Sequence, residues 1–131
     1  PAVAEPVSAL PEAVPAPATP WLDDSFRRGE SGAALVAWRA VGGELPRNRH
    51  FELEVWVVRD GAPVRGAELI VRADMPEHGH GMNVEPRALL REDGSFRVKG
   101  MLLHMAGAWV LTIHVTEPGR FHSAAFPLEI G

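Results

Sequence analysis

Hydrophobic and polar residues alternate along most of the chain after residue 33, with the period of two that half-buried β-strands show. The clearest apolar row consists of Trp109, Leu111, Ile113 and Val115. Shorter rows of the same kind occupy residues 51–57, 67–71, 96–98 and 124–130. A helical period is absent apart from a short turn expected near residues 22–30. The pattern therefore predicts a fold built almost entirely of β-strands.

Turn-forming pairs separate these rows, notably Asp60-Gly61, Asp93-Gly94 and Pro118-Gly119. Six or seven short strands in about 100 residues are typical of a β-sandwich of the immunoglobulin-like type. We predict an all-β sandwich of about seven strands over residues 21–131, with Trp109 in the space between the sheets. Trp56 interrupts the polar face of its strand and is expected to pack against a neighbouring segment.

Residues 1–20 have a different composition, with six of the twelve prolines, six alanines and no aromatic residue. Such a segment offers too little apolar surface to offset its ordering entropy, and its prolines favour extended conformations. The sequence predicts a flexible tether that lies outside the packed domain.

Composition excludes several classes of function. The net charge is −4, whereas a general nucleic-acid binder needs a basic surface to neutralise phosphates. The chain has no cysteine, so disulfides, thiolate metal sites and a cysteine nucleophile are all ruled out. No apolar run approaches the roughly 20 residues that span a bilayer.

The segment from Met75 to Met82 carries the strongest chemical signal, because two imidazoles and two thioethers fall within eight residues. In an extended chain, His78, His80 and Met82 would point to the same side, with only glycines between them. Thioether sulfur prefers Cu(I), and imidazole accepts copper in either oxidation state as well as zinc. The alternative interpretation is a surface loop whose histidines are merely solvated.

A second pair, His104-Met105, lies in the connection before the long row that starts at Trp109. The loops of a sandwich gather at its two ends, so the two segments can meet if strand order places them at the same end. The candidate copper ligands are then His78, His80, His104, Met105, Met82 and Met75.

The other three histidines have structural interpretations. His50 is expected to be an exposed residue at the start of a strand, and His114 is expected to face solvent, away from the Trp109 row. His122 shares its side of the strand with apolar residues, so we expect its ring to be hydrogen-bonded within the fold. None of the three has a second candidate ligand nearby in sequence.

No catalytic motif accompanies these residues. G-x-S-x-G, H-E-x-x-H and phosphate-binding glycine motifs are all absent. A zinc hydrolase is the weakest of the alternatives, because no carboxylate stands at a recognisable spacing from the histidines. The chain is predicted not to be an enzyme.

Four pieces of the sequence resemble a bacterial family, the FixH-like or YtkA-like domain. They are residues 60–67 (DGAPVRGA), 75–82 (MPEHGHGM), 93–96 (DGSF) and 104–109 (HMAGAW), in that order and at matching spacing. The resemblance implies an immunoglobulin-like sandwich and a periplasmic or membrane-tethered location. It also implies a link to copper handling, metal efflux or oxidase assembly. The correspondence is strongest at His78, His80, His104 and Met105, whereas the family also admits leucine at the position of Met82.

These observations favour an exported copper-binding protein that stores or relays the metal through a His/Met site. The competing hypothesis is a structural or interaction module of an efflux or oxidase-assembly complex. In that case the His-Gly-His loop only shapes a contact surface.

Overall fold

A computed structural model describes residues 19–131, and the tether predicted for residues 1–20 lies outside that range except for its last two residues. A short 3-10 helix, Pro20–Leu22, precedes ten strands. The strands are β1 (Arg27–Ser31), β2 (Ala34–Ala40), β3 (Phe51–Arg59), β4 (Ala62–Pro63), β5 (Glu68–Met75), β6 (His80–Gly81), β7 (Arg87–Leu90), β8 (Phe96–Met101), β9 (Gly107–Glu117) and β10 (Arg120–Ile130).

The strands form two antiparallel sheets packed face to face. The first sheet has the order β1-β2-β3-β8-β7, with β4 paired to β3, and the second has the order β10-β9-β5-β6. This confirms the predicted all-β sandwich. Ten strands exceed the predicted number of about seven because of the two-residue strands β4 and β6 and the edge strand β1, which was not predicted.

The core lies between the sheets and is made by the rows that the alternation predicted. Trp109, Leu111, Ile113 and Val115 are all at most 1% exposed. The predicted rows of β3, β5, β8 and β10 belong to the same buried cluster. Strand β5 alternates strictly between exposed and buried residues, as a strand with one solvated face should.

A second, smaller cluster lies on the outer face of the first sheet. Trp21 and Trp56 pack with their ring centres 5.2 Å apart, together with Phe26. The expectation for Trp56 is therefore confirmed. The turn expected over residues 22–30 is correct only at its beginning, because residues 27–31 form the edge strand β1 instead. This short strand carries polar and small residues, so its sequence shows no alternation that would reveal it.

The two ends of the sandwich carry different chemistry. The end where β5 finishes and β9 begins is called the histidine end and holds His78, His80 and His104. The end where β9 finishes is called the clamp end and holds Arg59, Glu117, His122 and Ser31. Strand β9 has eleven residues, so it separates these ends by roughly 30 Å. Within residues 19–131, no helix is long and apolar enough to cross a membrane.

Candidate metal-binding site

Two loops converge at the histidine end. The turn after β5 is closed by hydrogen bonds from the backbone N–H groups of His78 and Gly79 to the Met75 carbonyl, each 3.0 Å. Gly79 has a φ of 69°, in the left-handed region that glycine adopts without strain. The turn therefore folds back and places His80 in β6, paired with Met75.

The second loop, residues 102–106, reaches the same place from the first sheet. It joins β8 to β9, so it crosses from one sheet to the other directly above the core. Gly107 begins β9 with a φ of 128°, and a side chain there would approach the Met75 methyl group to 2.9 Å. Met75 and Gly107 thus pack the two loops against each other.

The convergence brings three imidazoles together. The ring centre of His80 lies 5.8 Å from that of His78 and 5.4 Å from that of His104. Metal–nitrogen bonds of about 2.0 Å put each ring centre about 3 Å from a bound ion, so two rings on one ion lie roughly 5–6 Å apart. The spacing of the ring centres therefore suits a shared ion.

Although the spacing of the rings suits a shared ion, their side chains are not yet oriented to bind one. Within residues 19–131, no three His, Asp or Glu side chains are close enough to hold a metal ion without moving. His78 and His80 are exposed, with His80 Nδ1 3.3 Å from the Gly81 carbonyl oxygen, whereas His104 is half-buried. The Nδ1 atom of His104 is buried and has no hydrogen-bond partner. An unpaired buried nitrogen is costly, and a metal ion or a reoriented ring would satisfy it.

Trp109 forms the floor of this site. Its indole ring meets His104 edge to face at 5.6 Å and His80 at 6.3 Å between ring centres. Its Nε1–H donates a 2.9 Å hydrogen bond to the Met105 carbonyl. The sequence predicted Trp109 as a core residue, and the apolar row gave no sign of its contact with the histidines.

The three predicted methionine ligands occupy two kinds of environment. Met75 is fully buried in the core beneath the loops. Met82 and Met105 are partly buried and pack against the core. The backbone N–H of Met82 donates to the Ala73 carbonyl at 3.1 Å, which ties the chain after β6 to β5.

The remaining histidines do not join this cluster, although His50 lies at the same end of the sandwich, since Phe51 pairs with Met101. His50 is exposed just before β3. His114 lies on the outer face of the second sheet and is partly covered by Phe121, whose ring stacks on it at 6.1 Å. His114 therefore points away from the core as expected, but the expectation that it faces solvent is wrong, because its ring is half-buried and its Nδ1 is buried without a hydrogen-bond partner.

His122 belongs to a hydrogen-bonded network at the clamp end. Its ring nitrogens bond to Ser31 Oγ at 2.6 Å and to Glu117 Oε2 at 2.7 Å. Glu117 also accepts two hydrogen bonds from the Arg59 guanidinium, at 2.7 and 2.8 Å. The prediction of a hydrogen-bonded His122 is therefore confirmed.

The hydrogen bonds from Arg59, then the one from His122, lower the pKa of Glu117 from 4.5 to about 2. The sequence analysis did not predict that Arg59 and Glu117 form an ion pair, although the positions of the two residues indicated it. Each continues an inward row by one more step of two, after Val57 in β3 and after Val115 in β9. Charged residues that extend apolar rows on two strands are candidates for a buried ion pair.

A family model for YtkA-like domains matches residues 42–114, which is more than half of the chain. The chain belongs to the YtkA-like family. The matched range includes every residue of the histidine end. Among curated protein sequences, none matches this chain significantly.

Solved structures share the fold at low sequence identity. A DUF4426 family protein from Pseudomonas aeruginosa superposes with a TM-score of 0.60 at 18% identity, covering 81% of this chain and 94% of that one. A copper-bound variant of FetP from uropathogenic Escherichia coli superposes with a TM-score of 0.55 at 9% identity, covering 81% of this chain and 95% of that one. The structure of FetP as isolated after expression in the periplasm superposes with a TM-score of 0.53 at 12% identity, covering 82% of this chain and 97% of that one. At these identities the similarity concerns the fold.

Proposed function

We propose that this protein binds copper at the histidine end, as a non-enzymatic protein that stores or relays the ion outside the cytoplasm. One observation carries the proposal: the His80 ring lies between those of His78 and His104, although His104 comes from a different loop and a different sheet connection. The spacing of these rings, 5.8 and 5.4 Å between centres, suits imidazoles that share one ion.

The donor set favours copper over other metals. Imidazole nitrogens stand beside thioether sulfurs, and thiolates are absent from the whole sequence. Hard ions such as Mg²⁺ and Ca²⁺ prefer oxygen ligands, whereas the combination of imidazole and thioether suits Cu(I) and Cu(II). Membership of the YtkA-like family and the shared fold of copper-bound FetP support this choice.

The proposed roles of the residues follow from their exposure to solvent. His80 and His104 would form the central pair, and His78 would supply a third imidazole from the exposed turn. Met105 and Met82 are the thioether candidates, since both are only partly buried and neighbour the histidines in sequence. Met75 is fully buried in the core, so we propose that its main role is to pack beneath the turn. Its predicted role as a metal ligand is the secondary one.

An exposed site suits transfer as well as storage. His78 and His80 face solvent, so ligands of a partner protein can approach the ion without opening the fold. The proposed partner is a membrane protein or a component of an efflux or oxidase-assembly complex. Residues 1–20 would tether the domain near that partner.

A second function has its own supporting observation. The histidine end holds no preformed set of three ligands among residues 19–131, and its methionines pack against the core. A module that uses this end only as a contact surface for another protein would show the same features. Metal binding by the isolated protein separates the two functions.

The test is a titration of the metal-free protein with Cu(II), and with Cu(I) under anaerobic conditions, against a competing chelator. We expect one equivalent to bind to the parent, and to His50→Ala with the same affinity, because His50 lies outside the cluster. The triple variant His78→Ala, His80→Ala, His104→Ala should lose this binding. Equal binding by the parent and the triple variant would overturn the proposal and favour the contact-surface function.

A further inference from the structure

The backbone on both sides of His104 is fixed by hydrogen bonds from outside its loop. The Leu103 carbonyl accepts a 2.7 Å bond from the backbone N–H of Asn48. The Met105 carbonyl accepts a 2.9 Å bond from the indole N–H of Trp109. His104 is therefore held between two anchored carbonyl groups.

The second anchor is the more rigid one. Trp109 is 1% exposed and sits in the core between the sheets, near the start of β9 at the histidine end, where its rotamer is fixed by packing. Asn48 lies in an exposed loop with a φ of 57°, so its position depends on that loop. The indole thus connects the His104 loop directly to the core.

The same side chain also contacts one histidine from each of the two loops. The faces and edges of the Trp109 ring meet His104 and His80 at interplanar angles of 79° and 73°. The indole is therefore a common wall for the two rings that lie 5.4 Å apart. Its N–H anchors the backbone next to His104, and its ring contacts both histidines.

We infer that Trp109 is a positioning residue for the metal site, which fixes His104 through the Met105 carbonyl and sets the spacing between His104 and His80. This inference rests on the proposed copper function. Ligands must be held within about 0.5 Å of the productive geometry, and sites built on loops are less precise than sites on strands, so the loop of residues 102–106 needs an anchor in the core. Groups that orient ligands in this way typically contribute about 10–100-fold to metal affinity.

The test compares Trp109→Phe with Trp38→Phe. Phenylalanine keeps an aromatic ring in the core and removes the N–H donor. Trp38 is an ideal control because it is equally buried, at 1% exposure, and its Nε1 has no hydrogen-bond partner. It lies in β2, and its aromatic neighbour is Phe126 rather than a histidine.

We expect Trp109→Phe to weaken copper binding by about tenfold or more, and Trp38→Phe to change it by less than about threefold. Backbone ¹⁵N relaxation of the metal-free proteins provides a second readout. Residues 103–106 should become more mobile on the nanosecond timescale in Trp109→Phe and should stay as in the parent in Trp38→Phe.

Equal copper affinities and equal relaxation in the two variants would overturn the positioning role. Failure of the parent to bind copper would overturn the proposed function instead, and relaxation of the metal-free variants would still decide whether Trp109 fixes the loop. If Trp109→Phe does not fold, the test uses the NMR resonance of the Trp109 indole N–H in the parent protein instead. That resonance should exchange slowly with solvent and shift on addition of Cu(I), and a resonance that does neither overturns the inference.

Discussion

The two ends of the sandwich both hold histidines, and they treat them in opposite ways. At the clamp end, both ring nitrogens of His122 have partners, and its side chain is only 10% exposed. At the histidine end, His78 and His80 are exposed, and the buried nitrogen of His104 has no partner.

The difference separates two roles of the same residue type. A histidine whose hydrogen-bonding capacity is fully used stabilises the fold and has no lone pair left for a ligand. The clustered histidines use much less of that capacity, since His80 Nδ1 bonds only to the neighbouring Gly81 carbonyl at 3.3 Å and the buried nitrogen of His104 is unpaired, so their grouping calls for a ligand or a contact partner. The clamp end joins the two sheets, whereas the histidine end displays donors on a rigid support.

The largest effect is expected from Trp109, which supports the histidine end from the core. Trp109→Ala should lower the free energy of unfolding by about 3–5 kcal/mol, because it removes a fully buried aromatic side chain. Urea denaturation measures this loss. A loss below about 1 kcal/mol would contradict the assignment of Trp109 as a stabilising core residue, because losses at such sites are typically larger.

The next largest effect is expected at the clamp end. Glu117→Gln leaves the Arg59 guanidinium without its anionic partner at a site where their side chains are 19% and 9% exposed. We expect a loss of about 2–4 kcal/mol in the free energy of unfolding, with copper affinity unchanged. The matched control is Glu85→Gln, whose partner Arg72 is 3.9 Å away and well exposed, and which should cost less than about 1 kcal/mol. A loss of copper affinity in Glu117→Gln would show that the two ends are coupled.

Acid should remove the contribution of Glu117. Its pKa is lowered to about 2 in the folded protein, against 4.5 for the unperturbed group. The carboxylate therefore stabilises the fold fully above the unfolded pKa, and this stabilisation disappears as the pH falls from 4.5 towards 2. The difference in unfolding free energy between the parent and Glu117→Gln should shrink by roughly 2–3 kcal/mol across this range. Denaturation at several pH values tests this, and a constant difference would contradict it.

At the histidine end the effects should appear in binding. His104→Ala should weaken copper binding at least as much as His80→Ala, by about tenfold or more, which corresponds to 1.4 kcal/mol or more. The double variant should lose less than the sum of the two single losses, because either change already breaks a shared site. The stability of the metal-free variants should change by less than about 1 kcal/mol. Full affinity in His104→Ala would show that the two loops do not share an ion.

The smallest effect is expected at His114, which belongs to neither end. It lies on the outer face of β9 and contacts Phe121, so His114→Ala should change the unfolding free energy by less than about 0.5 kcal/mol and leave copper affinity unaltered. The same two measurements apply. A loss of 2 kcal/mol would place His114 among the histidines that stabilise the fold.

The architecture could be predicted from the sequence because alternation reports directly on burial. Each inward row is visible in the order of the residues, and turn signals mark where the rows end. Strand β1 escaped prediction because Arg27, Arg28 and Glu30 leave no apolar row to detect, and its pairing with β2 is made by the backbone.

The sequence by itself determined the fold class, the inward faces and the residue types that could bind a metal, since these depend on composition and local spacing. Only the tertiary structure decided that His104 lies beside His80, because that contact depends on β9 pairing with β5 and starting at the same end. It also decided that Glu117 meets Arg59 and that Trp109 supports both histidine loops. Such contacts join residues that are far apart in the chain, and strand order, which brings them together, leaves no mark on the local sequence.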